Sequence, residues 1–199
     1  MGFFDDEPDV APAPAAEPPR PARAVWLGPP EDVPGVLVPL DAVVTRTPNA
    51  VVFLVGARAY PNGCQVEVRV AARRDGLAED AWWELHDGLF GAHRRRWNRD
   101  PSTESAPHFS VRLTDGTEVA AVGSAPEEQP AGPLLVCSPD GGTADSGTVD
   151  SHFQLWLHPL PDTGFELRVE WASAAVDTTA RVDGAAIAAA AERAQPYWP

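Results

Sequence analysis

Cys64-Gln65-Val66-Glu67-Val68-Arg69-Val70 alternates apolar and polar side chains without a break. Successive side chains of a strand point to opposite faces. The stretch therefore predicts a β-strand with Cys64, Val66, Val68 and Val70 against a core and Gln65, Glu67 and Arg69 in water. Just before it, Pro61-Asn62-Gly63 supplies turn chemistry, and VVFLVGARAY (Val51 to Tyr60) is apolar enough for a central strand, so the two read as an antiparallel hairpin. Upstream, VLVPL (Val36 to Leu40) and AVVTR (Ala42 to Arg46) read as two strands ahead of the turn Thr47-Pro48-Asn49.

Downstream the pattern recurs. Phe109, Val111 and Leu113 alternate up to Asp115-Gly116, a two-residue hairpin signal leading into Glu118 to Val122. Phe153, Leu155 and Leu157 alternate with His152, Gln154, Trp156 and His158, and after Pro159 to Gly164 come Phe165, Leu167, Val169 and Trp171. Seven to nine short strands in hairpins, without α/β alternation, predict an all-β fold: an antiparallel two-sheet sandwich of immunoglobulin-like architecture. Two helices interrupt it. Leu77 to Phe90 carries Glu79 and Asp80 in its first turn and Gly88 near its end, and Asp183 can cap a C-terminal helix that Pro196 stops.

Residues 1–24 hold Pro8, Pro12, Pro14, Pro18, Pro19 and Pro21 among alanines and acids, which predicts a disordered, acidic Pro/Ala-rich tail. Met1, Phe3 and Phe4 form an apolar cluster there, read as an incidental hydrophobic start ahead of the alternative of a short docking motif for a partner. The domain is expected over 25–199, opening on the irregular lead-in WLGPPEDVPG and carrying an insertion at 75–108. About 170 residues suffice for one core without disulfides or metal.

All 15 basic residues are arginine, the codon bias of a GC-rich genome. Having no lysine excludes chemistry built on a P-loop lysine, a kinase strand lysine or a Schiff base. With 29 acids the net charge is −14, which disfavours nucleic acid and anionic membranes as partners. MGFFDDEPDV lacks the basic and apolar regions of a secretory signal, and no apolar run reaches the ~20 residues of a membrane span, so a cytoplasmic location is expected. Cys64 and Cys137 are then expected as free, buried thiols.

MGFFDD, WLGPPEDVPG, FSVRLTDGTEV and the closing run WLHPLPDTGFELRVEWASAAVDTTARVDGAAIAAAAERAQPYWP together resemble a group of actinobacterial proteins with no assigned activity. The resemblance covers most of the chain. It implies a shared architecture and a bacterial cytosol, and it brings no catalytic residue or cofactor.

Among candidate sites, none of the G-x-S-x-G, H-E-x-x-H, G-x-G-x-x-G or EF-hand patterns occurs, so no catalytic residue, metal ligand or cofactor is assigned. His152 and His158 share a strand face but lie ~20 Å apart, too far for one zinc. Glu166 and Glu170 lie ~13 Å apart, wider than a glycosidase pair. Ser138 to Ser151, read as a loop, gathers Asp140, Asp145 and Asp150 in a composition that suits calcium as well as a plain polar connection. Seven tryptophans raise carbohydrate stacking, but Trp171 falls on an inward face and Trp82 shares a helical side with Leu85.

HRRRWNR (His93 to Arg99) packs four arginines around Trp97 in an acidic chain, the chemistry of an acidic-partner contact. The leading reading is a non-catalytic cytosolic protein–protein interaction module. Its contact is expected on the insertion through Arg94, Arg95, Arg96 and Trp97, with Trp82 seating the helix on the sandwich. The rival is a hydrolase or metal-dependent enzyme with a site assembled from separate loops. The tail reading predicts that native trypsin digestion cuts after Arg23 long before the domain, with little loss of thermal stability, the Arg20–Pro21 bond being resistant to trypsin in any conformation. Protection of the Arg23 bond on the timescale of domain cleavage contradicts it.

Overall fold

The computed structural model describes residues 23–94 and 105–198. The chain enters the sandwich through a meander of three strands, β1 (Val36–Arg46), β2 (Ala50–Tyr60) and β3 (Gly63–Arg73). At the first turn Thr47 Oγ1 accepts from the backbone N–H of Ala50 (2.9 Å), a local bond that stabilises the reversal. Helix α1 (Glu79–Arg94) follows, then β4 (His108–Leu113), β5 (Glu118–Ala120), β6 (Leu134–Ala144), β7 (Thr148–His158), β8 (Phe165–Trp171), β9 (Val176–Val182) and α2 (Gly184–Ala191).

These strands make two antiparallel sheets, five-stranded in the order β1-β2-β3-β7-β6 and four-stranded in the order β5-β4-β8-β9. The decisive register joins β3 to β7, where Cys64 opposes Leu157, Val66 opposes Leu155 and Val68 opposes Phe153. All six are buried. In the second sheet Phe109 opposes Val169 and Val111 opposes Leu167, and the Phe109 and Phe153 rings lie 5.3 Å apart between centroids. Inward residues of both sheets thus share one core. Each buried Val, Leu or Phe there contributes about 1.5–3 kcal/mol.

Both helices join that core. Trp82, Leu85 and Leu89, spaced three and four residues apart, form the buried side of α1, which packs on β3, β6 and β7. Helix α2 is capped by Asp183, whose Oδ1 accepts from the N–H groups of Ala185 and Ala186, and it buries Ile187, Ala190 and Ala191 while packing on β1 and β2. The inner side of the five-stranded sheet is therefore covered by the second sheet and two helices. Among the described residues its outer side is covered only at one end, where residues 23–34 lay Trp26 and Val33 over Tyr60, Trp156, Leu134 and Val136. Asn62 Nδ2 fixes that lead-in by donating to the carbonyls of Val25 and Gly28, and Trp156 Nε1 donates to the Trp26 carbonyl.

Three local expectations change. The two short strands before Thr47 are one strand, β1, made irregular by Pro39 and by Asp41 at φ 47°, with register shifts between Pro39 and Ala42 and between Val43 and Thr45. Ser138 to Ser151 is a hairpin of β6 and β7 closed by Asp145, whose Oδ1 accepts from the N–H groups of Gly147 and Thr148 and whose carboxyl is thereby held below its ordinary range. Helix α1 runs through Gly88 to Arg94. That glycine serves clearance, since a Cβ there would meet the Ser105 carbonyl oxygen at 2.1 Å.

The two fully buried tryptophans differ in one bond. Trp171 Nε1 donates to the Ser105 carbonyl (2.7 Å), whereas Trp82 Nε1 has no partner among the described residues. Both Phe substitutions leave a cavity, but only Trp171→Phe discards a buried hydrogen bond, so it is expected to cost about 1 kcal/mol more than Trp82→Phe in urea unfolding. Equal losses would mean that Trp171 acts through packing alone.

Candidate functional site

The alternation that fills the core with one side of β3 and β7 lines the outer surface with the other. Across the register, Glu67 opposes Gln154, Arg69 opposes His152 and Ala71 opposes Asp150. Asp150 is the hub: Arg69 Nε lies 2.7 Å from its Oδ2 and His152 Nε2 lies 3.0 Å from its Oδ1. Beside it Gln154 accepts from Gln65 Nε2 and donates to Asp140. Towards β1 the same surface becomes apolar, with Phe53 next to Arg69 and Val43 next to Phe53 in the register. Leu37 and Val43 are 58% and 50% exposed.

A groove of about 610 Å³ opens where this surface meets the β1–β2 turn. Val51 and Ala71 lie on its floor, and Arg46, Arg73, Thr148 and Asp150 stand around it. Its rim is held by bonds: Arg73 Nε donates to the Pro48 carbonyl (2.7 Å), and Asn49 Nδ2 donates to the carbonyls of Arg73 and Asp75. Asp150 is already matched by Arg69 and His152, and Arg73 by Asp75 (3.4 Å), whereas Arg46 has no side-chain partner among the described residues. The groove thus presents cationic charge over an apolar floor, which suits an anionic group attached to an apolar body.

Proton-transfer chemistry is poorly served here. His152 and Asp150 form a pair, but on an open sheet surface where water competes for every charge. The two thiols face the other way. Burial pushes both Cys64 and Cys137 up to about 12, and with β7 between their strands and a two-residue offset along it they lie ~12 Å apart, beyond disulfide reach.

The residues singled out in the sequence scatter. Trp82 is fully buried in the core, seating α1 against the five-stranded sheet. Arg94 is the last residue of α1, and Arg95, Arg96 and Trp97 lie outside the described residues. Asp140, Asp145 and Asp150 each serve a different partner, and no group of three or more His, Cys, Asp or Glu side chains is gathered for a metal among the described residues. His158 Nδ1 meets the Asn62 carbonyl at 2.6 Å, far from His152. Glu166 pairs with Arg112 and Arg181, and Glu170 with Arg168, as surface ion pairs of the second sheet.

No family model, curated protein or solved structure matches this chain. The groove was not foreseen in the sequence, because its two arginines are 27 positions apart and meet only through the β1-β2-β3 register.

The thiol environment gives a direct test. At pH 8 a thiol of pKa about 12 is thiolate in only about one molecule in 10⁴. Ellman's reagent should therefore find no reactive cysteine in the folded protein and two after guanidinium unfolding. Rapid release of one equivalent from folded protein would refute the buried placement.

Proposed function

We propose that this protein is a non-catalytic, cytosolic protein-binding module whose contact surface is the outer face of its five-stranded sheet. The observation that carries this reading is the exposure of two large apolar side chains on the outer side of β1, Leu37 beside Arg58 and Val43 beside half-buried Phe53, on a sheet face whose apolar margin is not offset by ion pairs as the outer face of the second sheet is. Withdrawing such side chains from water supplies association energy of about 25 cal/mol per Å² of apolar area.

The edge of the sheet supports face-on contact over strand addition. β1 is an edge strand, but Pro39 offers no N–H, Asp41 takes a left-handed backbone conformation, and the register shifts twice. Such features blunt an edge against pairing with another chain. Arg58 stands opposite Leu37 and Arg69 opposite Phe53, so the apolar cluster carries a basic border. A partner with an apolar centre and an acidic rim fits it. The arginine run at 94–96 with Trp97 adds a second basic contact on sequence grounds.

Affinity capture from the native host, read by mass spectrometry, tests the assignment with variants. Leu37→Asp with Val43→Asp is expected to abolish capture of the partners held by the wild type with a nearly unchanged melting temperature, because both sites are solvent-facing. Arg94, Arg95 and Arg96 changed together to Ser should reduce it. Unchanged capture by the aspartate variant would remove the sheet face from the proposal, and loss confined to the serine variant would assign binding to the arginine run.

A further inference from the structure

We propose that the groove at the β1–β2 turn is the docking site of the chain's own opening segment, Phe3-Phe4-Asp5-Asp6-Glu7. The inference goes beyond partner binding, since it concerns the turn end of that sheet face and a different occupant.

Chemical complementarity comes first. The groove sets Arg46 over Val51 and Ala71, and because Arg73 beside it is paired with Asp75 (3.4 Å), Arg46 is the unmatched cation above an apolar floor. Residues 1–10 supply the counterpart: two adjacent phenylalanines followed by Asp5, Asp6, Glu7 and Asp9, with no basic residue. Arg46 is available to such a ligand, having no side-chain partner among the described residues, whereas Asp150 at the same rim is matched by Arg69 and His152. A volume of about 610 Å³ falls within the ~300–1,000 Å³ of ordinary ligand pockets.

Length comes second. The described chain begins at Arg23, two residues from the Val25 carbonyl held by Asn62 at the β2–β3 turn. The groove lies at the opposite end of β2, and the eleven residues Ala50–Tyr60 span ~35 Å at strand rise. Between Asp9 and Arg23 stand residues 10–22, which include Pro12, Pro14, Pro18, Pro19 and Pro21. At the ~3.1 Å per residue of a polyproline II chain these thirteen residues reach ~40 Å, so the connection matches the span without surplus.

Tethering comes third. In a chain of net charge −14 a free acidic peptide meets overall repulsion, whereas a tethered one meets the groove at an effective concentration on the order of millimolar, so a weak contact suffices.

The test uses the full chain. A nitroxide attached to Gly2→Cys should broaden the backbone amide resonances of Arg46, Val51, Ala71 and Arg73 in ¹⁵N-labelled protein, with the amides of Ala59 and Tyr60 at the far end of β2 spared. Cys64 is buried and Cys137 half-buried, and with both thiols pushed up to about 12 they escape labelling under folded conditions. The broadening is expected to be lost with Arg46→Glu, which removes no side-chain bond, and with Phe3→Ser plus Phe4→Ser, which alters nothing in the folded domain. Raising the salt to ~0.5 M should weaken it, as for an exposed charge contact. Absence of groove-localised broadening, or its persistence in the Arg46→Glu protein, would overturn the proposal. Equal broadening when spin-labelled unlabelled-nitrogen protein is mixed with unmodified ¹⁵N protein would overturn self-docking and assign the groove to a second copy's segment. Partner capture through Leu37 and Val43 is measured separately, so either idea can fail alone.

Discussion

The β3–β7 ladder holds the protein together in the sense that everything else is placed by it. Cys64, Val66 and Val68 meet Leu157, Leu155 and Phe153 across two segments that lie far apart in sequence, and closing that separation is the main entropic cost of the topology. Once paired, the ladder gives α1 a surface to pack on and gives Phe109 of the second sheet a ring to meet. The same pairing generates the outer row, because a period of two cannot bury one set of side chains without presenting the other. Core and candidate surface are two readouts of one alternation.

What the sequence made legible follows from this. Alternating strands announce themselves when one side is apolar, as at Cys64 to Val70 and Phe165 to Trp171, and the all-β sandwich with two helices was readable on that basis. The second half of β6 was not. Ser138 to Ala144 is exposed beyond the core and gains nothing from apolar side chains, so PDGGTA reads as a loop although its backbone pairs with β7. Helix α1 was read as ending near Gly88 because glycine usually marks a terminus, whereas here the residue yields space to the Ser105 backbone. The groove was invisible for a different reason: Arg46 and Arg73 become neighbours only after two registers are fixed.

The two outer faces differ in electrostatic character. On the four-stranded sheet Arg112, Arg168 and Arg181 are each matched by acids, with Arg168 forming two 2.9 Å bonds to Asp177 that hold the Asp177 carboxyl below its ordinary range. These pairs are exposed and contribute little individually to stability. Their effect is to leave that face self-neutralised. The five-stranded face combines a matched centre around Asp150 with an unmatched Arg46 at its end and uncovered apolar side chains at its margin.

Ser105 has a bearing on how this chain can vary in length. Its carbonyl accepts from both Trp171 Nε1 and Ser173 Oγ and lies against Gly88, so the point where the chain returns from the insertion is anchored to helix and sheet at once. With Leu89 and Trp82 fixing the outgoing side, the two ends of residues 95–104 are clamped independently of what joins them. Each doubling of such a connector costs only about 0.6 kcal/mol in closure entropy. The neck therefore acts as a port: segments of different length and composition can be accommodated there while the sandwich beneath keeps its register.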